Sequence, residues 1–383
     1  MKSASTALAI AILATGASAQ VTIKATNTLP IARTSQTIEL SGNMLPPVGQ
    51  RQDVSFVHVK DSAGKEVLAQ AVDTDFDNFH KPDIVIFQAD FAPNESKTFT
   101  VSVGAKQTYE ESDFKAFGRF NRERFDDFCW ENDKIAHRMY GKGLETWDGE
   151  PLTSSTIDVW SKKTAKMVTD KWYMMDDYHA DHGEGADFYS AGESRGIGGS
   201  GVWASDKLFV SKNFVNSRVL AKGPIRVLFE LDYESWDVGG MKVSETKRIS
   251  LDGGSHLDKL QSTYKIESGS GPLTIGVGMK KTNGEQREAS PEKGVFAKWE
   301  RVEKNAGMQG LGVIVDPKTL VEQKDDQRNW LMLIKATPDN KVTYWAGFCW
   351  DKAGPMTDLA GWKKYLDTYA QEIASPIQVS AAP

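Results

Sequence analysis

Short runs in which apolar and polar residues alternate dominate this chain. In its first part these runs occupy residues 36–40, 54–59, 84–88 and 98–103, with Asn, Gly, Pro and Asp between them. Alternation with a period of two, broken by turn-forming residues, predicts short antiparallel β-strands that bury one face. The pattern therefore predicts a small β-sandwich over residues 20–105.

The predicted sandwich is of the immunoglobulin-like type, and a polar stretch at residues 107–113 predicts the linker that follows it. Residues 117–383 then resume the alternation in longer runs, without helical patterns between them. They predict an all-β domain, a large antiparallel sandwich rather than a parallel α/β sheet. The runs are residues 225–233, 243–251, 264–266, 273–279, 311–315, 330–334 and 342–348. One helix is predicted near the end, from the spacing of Trp362, Tyr365, Leu366, Tyr369 and Ile373.

The first 19 residues have the three-part plan of a secretory signal peptide. Lys2 precedes an apolar run at residues 7–14, and small residues follow at 17–19. This pattern predicts a mature chain that begins at Gln20 and is periplasmic or secreted. No later apolar run approaches the roughly 18 residues that a membrane-spanning helix needs, so we expect no membrane insertion.

Charge and cysteine content restrict the binding partners, disulfides and metal sites that we expect for this chain. With 46 basic and 52 acidic residues, the formal net charge is -6, which argues against nucleic acid as a partner. An acidic substrate stays possible, because a few arginines can build a local positive pocket. The two cysteines, Cys129 and Cys349, would permit a disulfide after export or would be buried free thiols on strands. Without a CxxC spacing, we expect no cysteine zinc site.

The densest set of reactive side chains lies at residues 176–189, which contain two of the six histidines, five carboxylates and two phenols. Each of these groups would cost desolvation if it were buried unpaired, so the segment predicts chemistry on a loop. The candidate catalytic residues are His179, His182, Tyr178, Tyr189 and Glu184. A structural hydrogen-bonded histidine pair and a structural cation such as calcium are the alternatives. Zinc is a weaker one, because Gly183 and Gly185 disfavour the helix on which the usual His pair sits.

Two other segments offer binding groups. In residues 127–141, an unbroken strand would place Trp130, Asn132, Arg138 and Tyr140 on one side, whereas a bulge near residues 133–134 would spoil that parity. A solvated face with salt bridges is the alternative. Residues 196–201 match G-x-G-x-x-G, but the context lacks the strand and helix of a dinucleotide site, so these glycines predict a tight bend or close approach to a ligand.

Residues 130–141 (WENDKIAHRMYG) and 178–189 (YHADHGEGADFY) together resemble a family of exported, β-rich proteins from polysaccharide-utilisation loci. That family includes an oligosaccharide dehydratase of ulvan breakdown, and the resemblance covers residues from about 117 to the end. It implies a fold similar to the galactose mutarotase-like supersandwich. The fold alone does not define the reaction, because this architecture also serves epimerases and sugar-binding modules.

The resemblance implies an acidic oligosaccharide as substrate and the removal of water from its non-reducing terminal glucuronate or iduronate. The C5 proton and the C4 hydroxyl would leave, and a 4,5-unsaturated uronate would form. A proton beside a carboxylate is weakly acidic, so the site must neutralise that carboxylate before a base can act. The candidates for this binding role are Arg195, Arg138 and Asn132. Trp172 is a candidate for stacking against a sugar ring.

Proton transfer in such a reaction needs a base and a donor, and no cofactor. His179 or His182 would take the C5 proton. A phenol would protonate the departing hydroxyl, or one side chain would do both tasks in a syn elimination. The candidate phenols are Tyr178, Tyr189 and Tyr140. The candidate carboxylates for orienting a histidine are Glu184 and Asp187.

Three other classes of function remain open. A uronate lyase would use nearly the same groups but would expel a sugar instead of water. An epimerase or mutarotase would need a histidine base and a carboxylate, but no arginine that neutralises a substrate carboxylate. A non-catalytic carbohydrate-binding protein would keep the tryptophans and tolerate loss of the histidines.

Overall fold

The computed structural model describes residues 20–382, except 47–53, 76–80, 149–151, 153–154 and 176. The predicted signal peptide at residues 1–19 lies outside the described residues. The described residues form 26 β-strands and two α-helices, and the strands pair in antiparallel fashion within five sheets. The predicted all-β fold class is confirmed.

The N-terminal part is a small two-sheet sandwich. Its strands are β1 (Gln20–Thr26), β2 (Arg33–Leu40), β3 (Val57–Lys60), β4 (Glu66–Val67), β5 (Ala69–Val72), β6 (Ile84–Phe91) and β7 (Ser96–Val103). The last strand of the chain, β26 (Gln378–Ala381), joins the first sheet, whose order is β26-β1-β7-β3-β4. The second sheet has the order β2-β6-β5. The two ends of the chain therefore meet in one sheet, and alternate apolar residues of both sheets form its core.

A five-stranded sheet follows and has the order β12-β11-β10-β9-β8. Its strands are β8 (Ala116–Asn121), β9 (Asp127–Asn132), β10 (Ala136–Met139), β11 (Asp158–Lys162) and β12 (Gly185–Ala186). Residues 127–141 do not form an unbroken strand, because β9 and β10 are the two arms of a hairpin, and the shared face considered for Trp130, Asn132 and Arg138 is therefore not formed. Arg138 lies opposite Cys129 on one side and Asp158 on the other. It therefore shares its face with Asp127, whereas Trp130 and Asn132 are on the opposite face.

Two large sheets complete the fold. Their strands are β13 (Ile197–Ala204), β14 (Lys207–Phe209), β15 (Asn216–Lys222), β16 (Arg226–Val238), β17 (Met241–Asp252), β18 (Leu257–Ser268), β19 (Thr274–Lys280), β20 (Gln286–Ser290), β21 (Val295–Arg301), β22 (Met308–Val315), β23 (Leu320–Asp325), β24 (Asn329–Lys335) and β25 (Lys341–Trp350). The five-stranded sheet has the order β14-β13-β19-β24-β23, and the eight-stranded sheet has the order β15-β16-β17-β18-β25-β22-β21-β20. Both sheets and the inner face of β8–β11 share the largest apolar core.

The glycine-rich segment lies in β13 and serves close packing between sheets. Gly198 has a φ of +85°, and a Cβ atom there would lie 2.4 Å from the Cβ of Ala346 on β25. Only a glycine allows the two strands to approach this closely. The sequence predicted a tight bend or close approach to a ligand, whereas Gly198 makes room for side chains of the same chain.

The two helices are α1 (Thr169–Met175) and α2 (Leu359–Ala374). The predicted C-terminal helix is confirmed: Asp358 caps its first turn by accepting a hydrogen bond from the Gly361 amide, and Trp362 and Leu366 pack on the outer face of the eight-stranded sheet. Cys129 and Cys349 are buried free thiols on β9 and β25, so they form no disulfide with each other. Neither helix of the described residues has the length and apolar character to cross a membrane.

Candidate functional site

One face of the β9–β11 strands carries buried charged side chains beneath a cover of aromatic rings. The register places Asp127, Arg138 and Asp158 on this face, and all three are less than 5% exposed. Helix α1 and the segment after it fold over the same face and contribute Trp172, Tyr173 and Tyr178 to an apolar cluster. The face therefore combines ionisable groups with the low-dielectric surroundings that perturb them.

Arg138 is the centre of this arrangement. Its Nη2 atom donates to Oδ2 of Asp158 at 2.6 Å and to Oδ2 of Asp187 at 3.0 Å. Its Nη1 atom lies 3.7 Å from Oδ2 of Asp127, and the hydroxyl of Tyr140 donates to Asp158 at 3.1 Å. We refer to Asp127, Arg138, Tyr140, Asp158 and Asp187 as the Arg138 cluster. Three carboxylates thus surround one guanidinium.

Burial decides how these carboxylates titrate. It raises the pKa of Asp127 to about 7, against the opposing pull of Arg138 and Arg124. It also raises the pKa of Asp187 well above its ordinary value, and the neighbouring charge of Asp158 adds to the effect. Near neutral pH, the cluster therefore retains acid protons.

His179 lies at the exposed edge of the cluster. Its Nδ1 atom is 3.1 Å from the backbone oxygen of Asp187 and 3.4 Å from Oδ2 of that residue, while the side chain is 53% exposed. A hydrogen on Nδ1 that donates to the Asp187 carbonyl leaves Nε2 as a base, and no described side chain bonds to Nε2. The site therefore presents an oriented imidazole to solvent.

Tyr178 connects His179 with the interior of the cluster. Its ring centroid is 4.6 Å from that of His179, and its hydroxyl accepts a long hydrogen bond of 3.5 Å from Nη1 of Arg138. Burial raises the pKa of Tyr178, so the phenol stays protonated at neutral pH. A base and a potential proton donor are adjacent at the surface of one buried acid cluster.

A buried ion pair holds the segment that covers this face. Glu131 accepts hydrogen bonds from the amides of Val168 and Thr169 and from the Thr169 hydroxyl at the start of α1. Lys162 donates to Glu131 at 2.6 Å and to the backbone oxygen of Lys166 at 2.6 Å. These bonds tie the chain between β11 and α1 to β9, and they satisfy two charges that would otherwise be buried alone.

Two predicted catalytic residues lie outside the cluster. His182 pairs with Asp177 at 3.0 Å, and both side chains are at least half exposed. Glu184 pairs with Lys171 at 2.7 Å rather than with a histidine. Glu184 and Asp187 were predicted to orient a histidine. Among the described residues, only Asp187 of these two contacts a histidine side chain.

The other predicted binding residues are engaged within the fold. Arg195 is 3% exposed and donates to the backbone oxygens of Ser155 and Glu193. Trp172 is 5% exposed and packs against Trp160, so it offers no open ring face. The structure therefore does not bring Arg195 or Trp172 to the exposed edge where His179 lies.

Tyr189 borders the cluster from the opposite side. Its amide donates to Oδ1 of Asp187 at 3.2 Å, and its hydroxyl is buried without a hydrogen-bond partner among the described residues. Burial raises the pKa of this phenol well above its ordinary value. Tyr189 is therefore a neutral neighbour of Asp187 rather than an exposed donor.

Asn132 holds the β9–β10 turn to the large sheet. Its Nδ2 atom donates to the backbone oxygens of Asp252 and Ser255, and its Oδ1 atom accepts from the amides of Lys134 and Ile135. All the bonding capacity of the amide is thus used by backbone groups.

We expect Asn132→Ala to lower the free energy of unfolding by about 2–3 kcal/mol, because it leaves buried backbone groups without partners. Chemical denaturation measures this loss. Binding of a glucuronate-ended oligosaccharide at a temperature where both proteins are folded should be unchanged. A variant that keeps its stability but loses sugar binding would instead assign Asn132 to the substrate.

Asp127, Asp158 and Arg124 were not predicted from the sequence. Asp158 is the first residue of β11 and lies between Ile157 and the apolar pair Val159 and Trp160, and a carboxylate in such a run is a usable signal for a buried charge. Asp127 has a similar position as the first residue of β9. Arg124 lies in the turn between β8 and β9, three residues before Asp127, and its Nε atom is 3.9 Å from Oδ2 of that residue.

Two cavities of the described structure lie elsewhere. One of about 470 Å³ is bounded by the N-terminal sandwich and α2, with Arg33 and Tyr369 in its wall. Another of about 320 Å³ lies beside Trp330. We place the candidate site at the Arg138 cluster because perturbed carboxylates and an exposed, oriented imidazole occur together there. Among the described residues, no group of three His, Cys, Asp or Glu side chains is arranged to hold a metal ion.

The fold and this site define a β-supersandwich protein with an acid cluster beneath one exposed histidine. Residues 25–379 match the model of a family described as "Domain of unknown function (DUF4861)", and the chain belongs to that family. It is also similar to "Uncharacterized protein P7" of Formosa agariphila, with 33% identity over 377 residues that cover 94% of this chain and 92% of the relative.

Solved structures show the same fold at low identity. An α-mannosidase from Enterococcus faecalis V583 superimposes with a TM-score of 0.52 and 12% identity, covering 95% of this chain and 46% of the mannosidase. A glycosyl hydrolase family 38 protein from Enterococcus faecalis gives a TM-score of 0.52 at 11% identity and is covered over 47% of its length. The chain thus spans just under half the length of these enzymes, and the likeness concerns the fold alone.

Proposed function

We propose that this protein is a carbon–oxygen lyase, a dehydratase that removes water from the non-reducing terminal uronate of an oligosaccharide. The observation that carries the proposal is the contact between His179 and Asp187 at the edge of the Arg138 cluster, where Tyr178 accepts a hydrogen bond from Arg138. Terminal glucuronate or iduronate, as in ulvan oligosaccharides, is the proposed substrate. The carbohydrate-active relatives of the fold are consistent with a sugar substrate.

In the proposed reaction, Nε2 of His179 takes the proton from C5 of the uronate. The C5–H electron pair forms the C4=C5 double bond, the C4–O bond breaks, and the hydroxyl leaves as water after it gains a proton. Tyr178 supplies that proton, because its phenol is protonated at neutral pH and its ring adjoins His179. The backbone oxygen of Asp187 orients the imidazole, because it accepts the hydrogen on Nδ1.

The experiment that tests the proposal uses the purified full chain and short oligosaccharides with a glucuronate or iduronate end. We expect ultraviolet absorbance of an unsaturated uronate and a product that is one water lighter, with the sugar chain intact. Two fragments would indicate a uronate lyase. An isomer of unchanged mass would indicate an epimerase, and binding without any product would indicate a carbohydrate-binding protein.

A further inference from the structure

The larger of the two cavities lies apart from the candidate catalytic site. Its volume is about 470 Å³, within the range of roughly 300–1,000 Å³ that is usual for small-ligand sites. Three parts of the fold meet in its wall: the outer face of the eight-stranded sheet, α2, and β2 of the N-terminal sandwich. The wall contains no member of the Arg138 cluster, and neither His179 nor Tyr178 lies in it.

The floor of this cavity is a row of three side chains across the sheet. Ser250 on β17 lies opposite Lys259 on β18, and Lys259 lies opposite Trp345 on β25. Residues directly opposite each other on antiparallel strands project from the same face, so the three side chains are neighbours on the outer face of the sheet. The floor therefore combines a hydroxyl, an ammonium and an indole.

These three groups are available to a ligand. Lys259 is exposed, and its Nζ atom has no hydrogen-bond or ion-pair partner among the described residues. It interacts with Asp252 through its charge, but the two side chains form no ion pair. In the same part of the chain, no side chain bonds to the Ser250 hydroxyl, and no other aromatic ring stacks on the partly exposed Trp345.

The other cations in the cavity wall are already paired. Arg226 donates to both carboxylate oxygens of Asp252, at 2.6 and 2.8 Å, and to Glu39 at 2.6 Å. Nε of Arg33 lies 3.8 Å from Oε1 of Glu372. Each carboxylate of the wall thus has its own arginine, and the lysine of the floor is the cation left for an incoming anion.

Hydrogen bonds between the N-terminal sandwich and the large sheet hold the cavity in shape. Oε1 of Gln70 accepts from the amides of Ile225 and Arg226, at 2.8 and 2.7 Å. Nε2 of Gln88 donates to the backbone oxygen of Gly253 at 2.8 Å. Because these bonds already fix the walls, a ligand does not have to order them, and binding avoids that loss of conformational entropy.

The rim that β2 contributes has an irregular backbone. The register between β2 and β6 shifts between Arg33 and Gln36, and Ser35 within this bulge has a φ of +51°. Gly254 makes room for the bulge, because a Cβ atom there would lie 2.9 Å from the Cβ of Ser35. Bulges and strained residues of this kind concentrate beside functional sites. The Ser35 hydroxyl has no hydrogen-bond partner among the described residues, so it adds a second such hydroxyl to the wall.

We propose that this cavity is a second, non-catalytic site that binds an acidic sugar unit of an oligosaccharide. The apolar face of the pyranose stacks on Trp345, its carboxylate binds Nζ of Lys259, and its hydroxyls bond to Ser250 and Ser35. An indole with hydroxyl groups beside it suits a pyranose, whereas a lipid would leave these polar groups unpaired. The ammonium favours an acidic sugar over a neutral one. This ligand class follows from the cavity and does not rest on the proposed function.

The test uses a disaccharide that the proposed dehydratase cannot use as a substrate. It is a methyl glycoside with glucose at the non-reducing end and glucuronate next to it, and the comparison probe is the same disaccharide with its carboxylate reduced. Isothermal titration calorimetry with the full chain measures both affinities. We expect Lys259→Gln to weaken binding of the acidic probe about 10-fold and to leave binding of the reduced probe unchanged.

Lys265→Gln is the matched control, because Lys265 is another exposed lysine of β18 and pairs with Glu267 outside the cavity. It should change neither affinity. An equal loss in Lys259→Gln and Lys265→Gln would attribute the effect to surface charge and overturn the site. Equal binding of the two probes by the wild type would overturn the carboxylate role of Lys259, and binding of neither probe would overturn the cavity as a sugar site.

Trp345→Leu separates stacking from structure. Leucine keeps an apolar contact with the cluster beneath α2 but has no ring, so both probes should lose affinity about 5- to 10-fold. The thermal midpoint of unfolding, measured in parallel, reports the structural effect of the substitution. A lower midpoint with unchanged affinities would overturn the stacking role.

Failure of the cavity site is distinguishable from failure of the proposed function. Binding of the acidic probe through Lys259, by a protein that releases no water from a uronate-ended oligosaccharide, would support the cavity site and refute the dehydratase. Release of water by a protein that does not bind the acidic probe would support the dehydratase and refute the cavity site.

Discussion

Replacing His179 with alanine should lower the turnover of a uronate-ended oligosaccharide by about 10²–10⁴-fold, the usual contribution of a positioned general base. His179 is half exposed and contacts the protein through Nδ1, so its loss removes little packing. Affinity for the substrate should stay within about threefold of the wild-type value, because the proposed binding groups lie elsewhere.

The measurement is the initial rate of unsaturated product formation, with binding of the same oligosaccharide determined in parallel. His182→Ala is the matched control, because His182 is another half-exposed histidine of the same loop and pairs with Asp177 outside the cluster. It should retain near-wild-type turnover. Equal rates for His179→Ala and wild type would remove His179 from the mechanism, and a large loss in His182→Ala alone would transfer the role of base to that residue.

Replacing Asp258 with asparagine should stabilise the folded protein at pH 7 by about 2–4 kcal/mol. Burial raises the pKa of Asp258 to about 8 from an ordinary value of 3.8, so folding at pH 7 requires this carboxyl to take up a proton. Trp130 donates to Oδ1 at 2.8 Å, and Nε2 of His137 lies 3.2 Å from Oδ2. An asparagine keeps both contacts and needs no proton.

The orientation of His137 explains why an amide fits. Its Nδ1 atom is 2.8 Å from the backbone oxygen of Asp158, so Nδ1 carries the hydrogen and Nε2 accepts. Burial lowers the pKa of His137 to about 4, which keeps the ring neutral. With Asp258 ionised, Nε2 has no hydrogen-bond donor among the described residues. A protonated Asp258 or an asparagine provides one.

The pH dependence has a defined sign. Because folding raises the pKa of Asp258, the stability linked to its proton is fully present below pH 3.8 and is lost as the pH rises through about 8. Asp258→Asn lacks this titration, so its advantage over wild type should be near zero at pH 4 and largest above pH 8. His137 contributes stability above pH 6.5 that is lost as the pH falls through about 4, and it does so in both proteins.

Denaturant unfolding at several pH values between 4 and 9 measures the difference. Asp206→Asn is the control, since that side chain is 77% exposed and its residue has a positive φ that asparagine tolerates. The free energy of unfolding of Asp206→Asn should differ little from that of the wild type at every pH. A pH-independent difference for Asp258→Asn, or a variant less stable than wild type at pH 8, would contradict the assigned protonation.

The strands of the large domain were predictable because their alternation is local. The predicted runs at residues 243–251 and 342–348 fall within β17 and β25, and the C-terminal helix lies where its apolar spacing predicts. The sequence left open an unbroken strand or a bulge near residues 133–134, because polar residues also occur on solvated strand faces. The turn between β9 and β10 is defined by the bonds from Asn132 to distant backbone groups.

The candidate site was only partly predictable. The segment at residues 176–189 was singled out by its density of reactive groups, and it contains His179, Tyr178 and Asp187. Density could not separate His179 from His182, because the distinction depends on which histidine contacts Asp187 in the folded chain. The contribution of β9 and β11 was also missed, since Asp127 and Asp158 meet only through the register of strands that are 31 residues apart at these positions.

By itself, the sequence determined the all-β class, the positions of many strands, the late helix and the loop in which reactive groups concentrate, because each of these depends on neighbours within a few residues. Only the tertiary structure decided which of the reactive side chains are buried together and which are exposed to solvent. Burial between segments that are distant in the chain raises the pKa of Asp187. It also brings the carboxyl of Asp258 within hydrogen-bond distance of Nε2 of His137. Burial and long-range charge contacts are properties of the folded molecule, and no local pattern contains them.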